Sequence, residues 1–134
     1  VCDGTAEPAT GIYIGQQSRR TFALSYRTKK GNGSDDNYGY KLHIIYGALA
    51  APSEKAYATV NDSPEPITFS WSVSTTPIAV TGFKPTATLT IDSTRVDPDK
   101  LELVEDALYG GGSSEPKLML PDEVVALVGL KAAG

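Results

Sequence analysis

Strict alternation of apolar and polar residues runs through most of the first ninety or so positions of this chain. In PITFSWSVSTT (66–76), Ile67, Phe69, Trp71 and Val73 fall on one side of an extended backbone, and Thr68, Ser70, Ser72 and Ser74 on the other. A strand of that kind covers a core with its oily face and meets something wet with its hydroxyls. RTFALSYRT (20–28) sets Phe22, Leu24 and Tyr26 against Ala23, Ser25 and Arg27. YGYKLHIIYG (38–47) sends Tyr38, Tyr40, Leu42, Ile44 and Tyr46 one way. Between these two, KKGNGSDDN (29–37) reads as a polar hairpin loop. GIYI (11–14) is a short extended piece, and 77–81 a short strand. ALAAPSEKAYATVNDSPEP is broken by Pro52, Pro64 and Pro66, so it reads as a loop with a short strand near 56–60. TATLTID (86–92) groups Ala87, Leu89 and Ile91 opposite Thr86, Thr88 and Thr90.

The period then changes. VDPDKLELVEDALYGGG predicts a helix over 97–109, with Asp97 as N-cap, Pro98 at the first helical position and Gly110 as terminator. Val96 and Leu101 can clasp as a hydrophobic staple. Leu101, Val104 and Leu108 form one apolar stripe, which leaves Glu102, Glu105 and Asp106 in water. A shorter helix is expected at 121–128, where Asp122 and Glu123 suit the positive end of the helix dipole. No domain boundary or internal repeat interrupts the pattern. The expectation is therefore a single domain over 1–134, mainly β with some α. It is an antiparallel β-sandwich or barrel-like fold with one flanking amphipathic helix and a short C-terminal helix.

Length and charge narrow the function classes. A chain of 134 residues can bury a core without help from disulfides or metal. Net charge is −4 and the pI about 4.9, a poor basis for gripping nucleic acid. A single cysteine forbids an internal disulfide and fits a reducing compartment. No apolar run approaches a membrane span and no signal peptide is visible. The start VCDGTAEP, without a methionine, reads as that of a fragment or a processed form.

Candidate chemistry is sparse. His43 is the lone histidine and falls beside Lys41 and Ile45 on the face opposite the tyrosines, so a structural or surface role is favoured. One histidine and one cysteine cannot make a Cys/His zinc site, and Cys2 sits at the end of the chain. Asp92, Asp97 and Asp99 hint at a calcium loop, but the required glycine and closing glutamate are missing; helix capping accounts for Asp97 and dipole complementarity for Asp99. GNGSDDN lacks the Lys-Ser/Thr ending of a phosphate loop. Arg19-Arg20 and Arg27–Lys30 are short enough to be solvated or subunit-contacting charges. No catalytic, metal or cofactor-binding residue is expected, and no enzymatic activity.

Four stretches, CDGTAEPATGIYIGQQSRRTFALSYRT, YGYKLHIIYGALAAPSEKAYATVNDSPEPITFSW, GFKPTATLTIDSTRVDPDKLELVEDALYG and LMLPDEVVAL, cover residues 2 to about 128. Together they resemble the major tail proteins of long-tailed bacteriophages and prophages of Gram-positive bacteria. The resemblance implies a virion structural protein whose subunits form rings, generally hexameric, that stack into the tail tube through which DNA passes into the host. It implies a β-sandwich with a flanking helix and a lumen lined by strands from every subunit. Its partners would be further copies of itself, the tape measure, tail terminator and baseplate proteins, and DNA in transit, with no membrane. Assembly would take place in the bacterial cytoplasm, and the protein would reside in the virion tail. Chains of this family are longer at the N-terminus, so an initial β-rich segment is expected to precede the present sequence.

On that reading, the uncharged rows Thr68, Ser70, Ser72, Ser74 and Thr86, Thr88, Thr90 are candidates for the lumen or an adjacent wet layer, since each lumen cation would add a phosphate sticking point. The plain alternative is solvent-facing strand positions with good β propensity. The loop 29–37, with Lys29, Lys30, Asn32, Ser34, Asp35, Asp36 and Asn37, is a candidate ring contact or else a solvated loop. A rival class is a carbohydrate-binding or adhesin-like β-sandwich, with Tyr38, Tyr40, Tyr46 and Trp71 as a stacking platform. Against it, these aromatics share faces with Leu42 and Ile44, or with Ile67 and Phe69, and so are expected to pack inward.

Overall fold

The computed structural model describes residues 5–52, 71–111 and 115–129, the side chains of 35–37 and 52 excepted. Among them the elements run β1 (Ala6–Ala9), β2 (Ile12–Ile14), β3 (Phe22–Asn32), β4 (Asp35–Pro52), β5 (Trp71–Thr75), β6 (Ile78–Val80), β7 (Phe83–Thr86), β8 (Thr88–Asp92), α1 (Pro98–Tyr109) and α2 (Pro121–Val128). The chain is mainly β, with antiparallel pairings and two helices. It forms two compact units, one of Val1–Phe22 with Ala48–Thr75 and the other of Ala23–Gly47 with Thr76–Gly134.

The second unit holds the core. Alternation along β4 buries Leu42, Ile44 and Tyr46 completely or nearly so, and Ile91 of β8 joins them. This apolar row is covered by Leu101 and Val104 of α1, Met119, and Val124 of α2. Burial of each such side chain contributes about 1.5–3 kcal/mol, so this small cluster accounts for much of the unit's cohesion. Both helices follow their local signals. Asp97 accepts from the Asp99 amide at 3.0 Å, Pro98 opens α1, and Gly110 closes it at φ 80°. Val96 packs against the same cluster as Leu101. In α2, Pro121 stands at N1 and Glu123 reaches back to accept from the Leu120 amide at 2.9 Å.

β4 pairs with β3 and changes its other partner along its length, meeting β8 over 41–45 and β5 over 48–52. The change falls at Gly47, which has φ +57° and whose carbonyl accepts from the Thr76 amide at 3.0 Å. A Cβ there would stand 2.5 Å from the Thr76 carbonyl oxygen. Gly47→Ala is therefore expected to destabilise the protein by more than the about 1–2 kcal/mol that a left-handed L-residue costs alone. A urea titration followed by tryptophan fluorescence measures this, and an unchanged midpoint would contradict it.

Several expectations need correcting. The polar loop at 29–37 is a turn of two residues, Gly33 and Ser34; β3 runs on to Asn32 and β4 begins at Asp35. Asn32 Oδ1 accepts from the Ser34 amide at 2.9 Å, and that local bond stands in for a longer loop. Residues 48–52, expected to start a loop, continue β4, because β5 supplies their hydrogen-bonding partner. Thr86 and Thr88 do not share a strand: the chain bends at Ala87 between β7 and β8. β7 itself, carrying Pro85, is a hairpin partner of β6 that alternation does not reveal. Residues 67–70, and the short strand expected near 56–60, lie outside the described residues.

Two apolar faces also lie differently. In β3 it is Ser25 and Arg27 that turn toward α1, which leaves Leu24 and Tyr26 exposed. A strand with one residue's shift of register presents its other face, and the pairing with β4 selects this one. In β5, Trp71 and Val73, expected in a core, are each 50% exposed. Alternation separates two faces of a strand but does not say which of them is covered.

Candidate functional site

The second unit has a sheet face turned away from the core, on which polar side chains of three strands meet. His43 stands on central β4. Its Nε2 lies 2.9 Å from Thr28 Oγ1 of β3, and its Nδ1 lies 3.2 Å from Thr90 Oγ1 of β8. The Tyr26 ring stacks on the imidazole with centroids 4.8 Å apart. Strand alternation puts Tyr26, Thr28, His43 and Thr90 on one face, and the His43–Thr90 register sets the two opposite each other. Both ring nitrogens are thereby engaged by hydroxyls, which makes the histidine a strand-to-strand tie.

Farther along the same face, Lys30 Nζ donates to Asp92 Oδ2 at 2.8 Å and to Thr94 Oγ1 at 3.0 Å. Asp92 Oδ1 also accepts from the Thr94 hydroxyl and amide. The Lys30 hydrogen bond first, and those from Thr94 next, hold the Asp92 carboxyl well below the ordinary carboxylate range. The folded state therefore prefers the ionised form. The stabilisation is complete above the unfolded aspartate pKa and declines as pH falls through it. Chemical denaturation at a series of acid pH values should show that decline, and Asp92→Asn should flatten it.

On the core side of the sheet a second cluster joins β3, β4 and α1. The Arg27 guanidinium lies 5.1 Å from the centroids of both the Tyr40 and Tyr109 rings and 3.2 Å from Glu105 Oε2. Tyr40 donates its hydroxyl proton to Glu105 Oε1 at 2.7 Å, and the Tyr109 hydroxyl lies 2.8 Å from Ser25 Oγ. Burial, then the bond to Glu105, pushes the Tyr40 phenol up. Beside the cluster runs a groove with a volume near 710 Å³, lined by Arg27, Lys29, Tyr38, Tyr40, Pro98 and Leu101 among others.

Compared with known proteins, the chain matches no family model, no curated protein and no solved structure.

The candidate residues do not form one surface. Thr68 and Ser70 lie outside the described residues. Ser72 and Ser74 are exposed on β5, opposite Ala51 and Leu49, and Ser74 donates to the Leu49 carbonyl at 3.4 Å. Thr86 is half-buried and spends its hydroxyl on the Thr88 backbone across the bend. Thr88 and Thr90 are exposed, but their face also carries Lys30 and the cross-strand pair Lys41 and Asp92, so it is not free of cations. Among the ring-contact residues, Lys29, Lys30 and Asn32 belong to β3, Ser34 to the turn, and Lys30 is committed to Asp92. The side chains of Asp35, Asp36 and Asn37 lie outside the described residues.

Sequence reasoning missed the Arg27 cluster. Glu105, expected in water, is half-buried and paired. Its position next to Val104 and one turn after Leu101, at the border of the apolar stripe, was the available signal. Of the three aspartates considered for calcium, Asp92 is taken by Lys30 and Thr94, and Asp97 by the α1 cap.

Proposed function

We propose that this chain is a structural subunit of a long phage tail, assembling by repetition into stacked rings and performing no bond-making step of its own. The observation that carries the reading, beside the resemblance of the four quoted stretches, is the exposure of large apolar side chains on strands. Ile12, Tyr13 and Ile14 of β2 and Trp71 and Val73 of β5 are each about half exposed or more. Side chains of this size stay in water at a cost, and further copies of the same chain would cover them.

The polar residues support the same reading. His43 is engaged with Thr28 and Thr90, Asp92 with Lys30, and Glu105 with Arg27, so each holds strands or a helix together. Thr28, Thr88 and Thr90 give a wet, hydroxyl-bearing patch on which Asp92 offsets the Lys30 charge, while the exposed Lys41 on the same face would remain a phosphate contact. The tape measure, terminator and baseplate proteins would be the heterologous partners. In the described residues no helix is long and apolar enough to cross a membrane.

The carbohydrate-binding reading has less to stand on. Tyr46 is buried with its hydroxyl on the Met119 carbonyl, and Tyr40 is bonded to Glu105, so neither joins Tyr38 in an open platform. Size-exclusion chromatography with light scattering, then negative-stain microscopy, tests the proposal. Rings or tubes are expected. A protein that remains single at high concentration and is retained on a polysaccharide resin would overturn it.

A further inference from the structure

We infer that the groove between β3, β4 and the start of α1 receives the acidic ridge of α1 from a second copy of this chain, head to tail. The inference rests on the tail-subunit reading only in choosing a second copy as occupant.

The groove has a definite chemistry. Arg27 and Lys29 are two residues apart on one face of β3, and Tyr38 and Tyr40 two apart on one face of β4. Arg27 already has Glu105 as counter-ion. Lys29 has no ion-pair partner among the described residues and is exposed, which makes it the groove's uncompensated cation. Tyr38, 51% exposed with Lys30 Nζ 5.8 Å from its ring centroid, adds an aromatic wall whose remaining surface is open. An occupant must therefore bring a carboxylate to Lys29 and an apolar group to Tyr38.

This chain carries such a surface. At 3.6 residues per turn, Asp99, Glu102, Leu103 and Asp106 share one outward arc of α1, roughly 100° wide, and all four are exposed. Leu103 is 55% exposed, a large aliphatic side chain set beside carboxylates. Leu101 and Val104 point to the core and fix the helix so that this ridge faces out. Glu102 has no ion-pair partner among the described residues. The ridge thus offers an acid and an apolar group together, on a rigid element, in a protein whose net charge of −4 makes free cations scarce. Because the groove and the ridge are different patches, the contact is heterologous. It closes into a ring or continues as a filament, and charge complementarity sets its register.

A charge swap tests the contact. Sedimentation velocity over a concentration series would compare the wild-type chain with Lys29→Glu, Glu102→Lys and the double variant. Both positions are exposed, and circular dichroism with thermal melts checks that each variant is folded. Each single variant is expected to weaken self-association about tenfold or more, and the double variant to recover most of the loss. Mixing the two single variants should restore pairing between unlike chains. Wild-type-like assembly by both single variants would overturn the contact while leaving the tail-subunit reading intact. A wild-type chain that never self-associates would overturn both, and failure of the double variant to recover would overturn the pairing of Lys29 with Glu102.

Discussion

Val104→Asp is expected to abolish cooperative unfolding. Val104 is fully buried on α1, among Leu42, Ile44, Tyr46, Leu101 and Val124. The described residues offer that position no buried cation, so the new carboxylate must either ionise without a partner or remain protonated in an apolar site. An uncompensated buried charge costs several kcal/mol, on top of the lost packing, against a total stability of about 5–15 kcal/mol for a domain. The near-ultraviolet circular dichroism should lose its tertiary signal and the urea transition should broaden or vanish. Leu103→Asp, one residue away but exposed, is the control: it should stay within about 0.5 kcal/mol of wild type. If the two variants behaved alike, the assignment of the inner and outer faces of α1 would be wrong.

Tyr46 gives the second large effect, and two substitutions separate its parts. Its ring fills the core, and its hydroxyl donates to the Met119 carbonyl at 2.8 Å. Tyr46→Phe keeps the ring and leaves that carbonyl without its donor, a loss of about 1–3 kcal/mol. Tyr46→Ala empties the site as well, and the total should reach about 3–5 kcal/mol, as for other aromatic truncations. Equilibrium denaturation in urea reads both. The phenol adds a signature in alkali, because burial first and Glu123 second push its pKa up to about 12. The folded state holds this proton more tightly than the unfolded state, whose tyrosine titrates near 10. The stabilisation is thus complete below pH about 10 and fades between about 10 and 12. Tyr46→Phe should lose that part of the alkaline profile, and an identical profile would refute the buried position.

The two experiments probe one arrangement, in which β4 presents its inner row to two helices. How much of it could be read beforehand differs element by element. Both helices were legible because their signals are local. The Asp97 cap, Pro98 and Gly110 lie within a residue or two of the ends they define, and Pro121 and Glu123 do the same for α2. The row Leu42, Ile44, Tyr46 was legible because alternation over a long strand leaves one consistent choice of core face. His43 was rightly placed opposite that row, but its ties to Thr28 and Thr90 depend on the register of three strands. The Arg27–Glu105 pair joins residues far apart in sequence, on a strand and a helix, and no local pattern announces it.

What the amino-acid sequence determined by itself is therefore the set of elements whose ends carry capping or turn chemistry, together with the inner face of β4. Tertiary structure alone decided four other matters: that 29–37 narrows to a two-residue turn, that β4 runs on to Pro52, that Leu24 and Tyr26 turn outward, and that Thr86 leaves the threonine row. The physical reason is range. A cap or a helical stripe is satisfied by neighbours a few residues away. The extent and facing of a strand are set by partners such as β5 and β8, whose pairing with β4 exists only once the chain has folded back on itself.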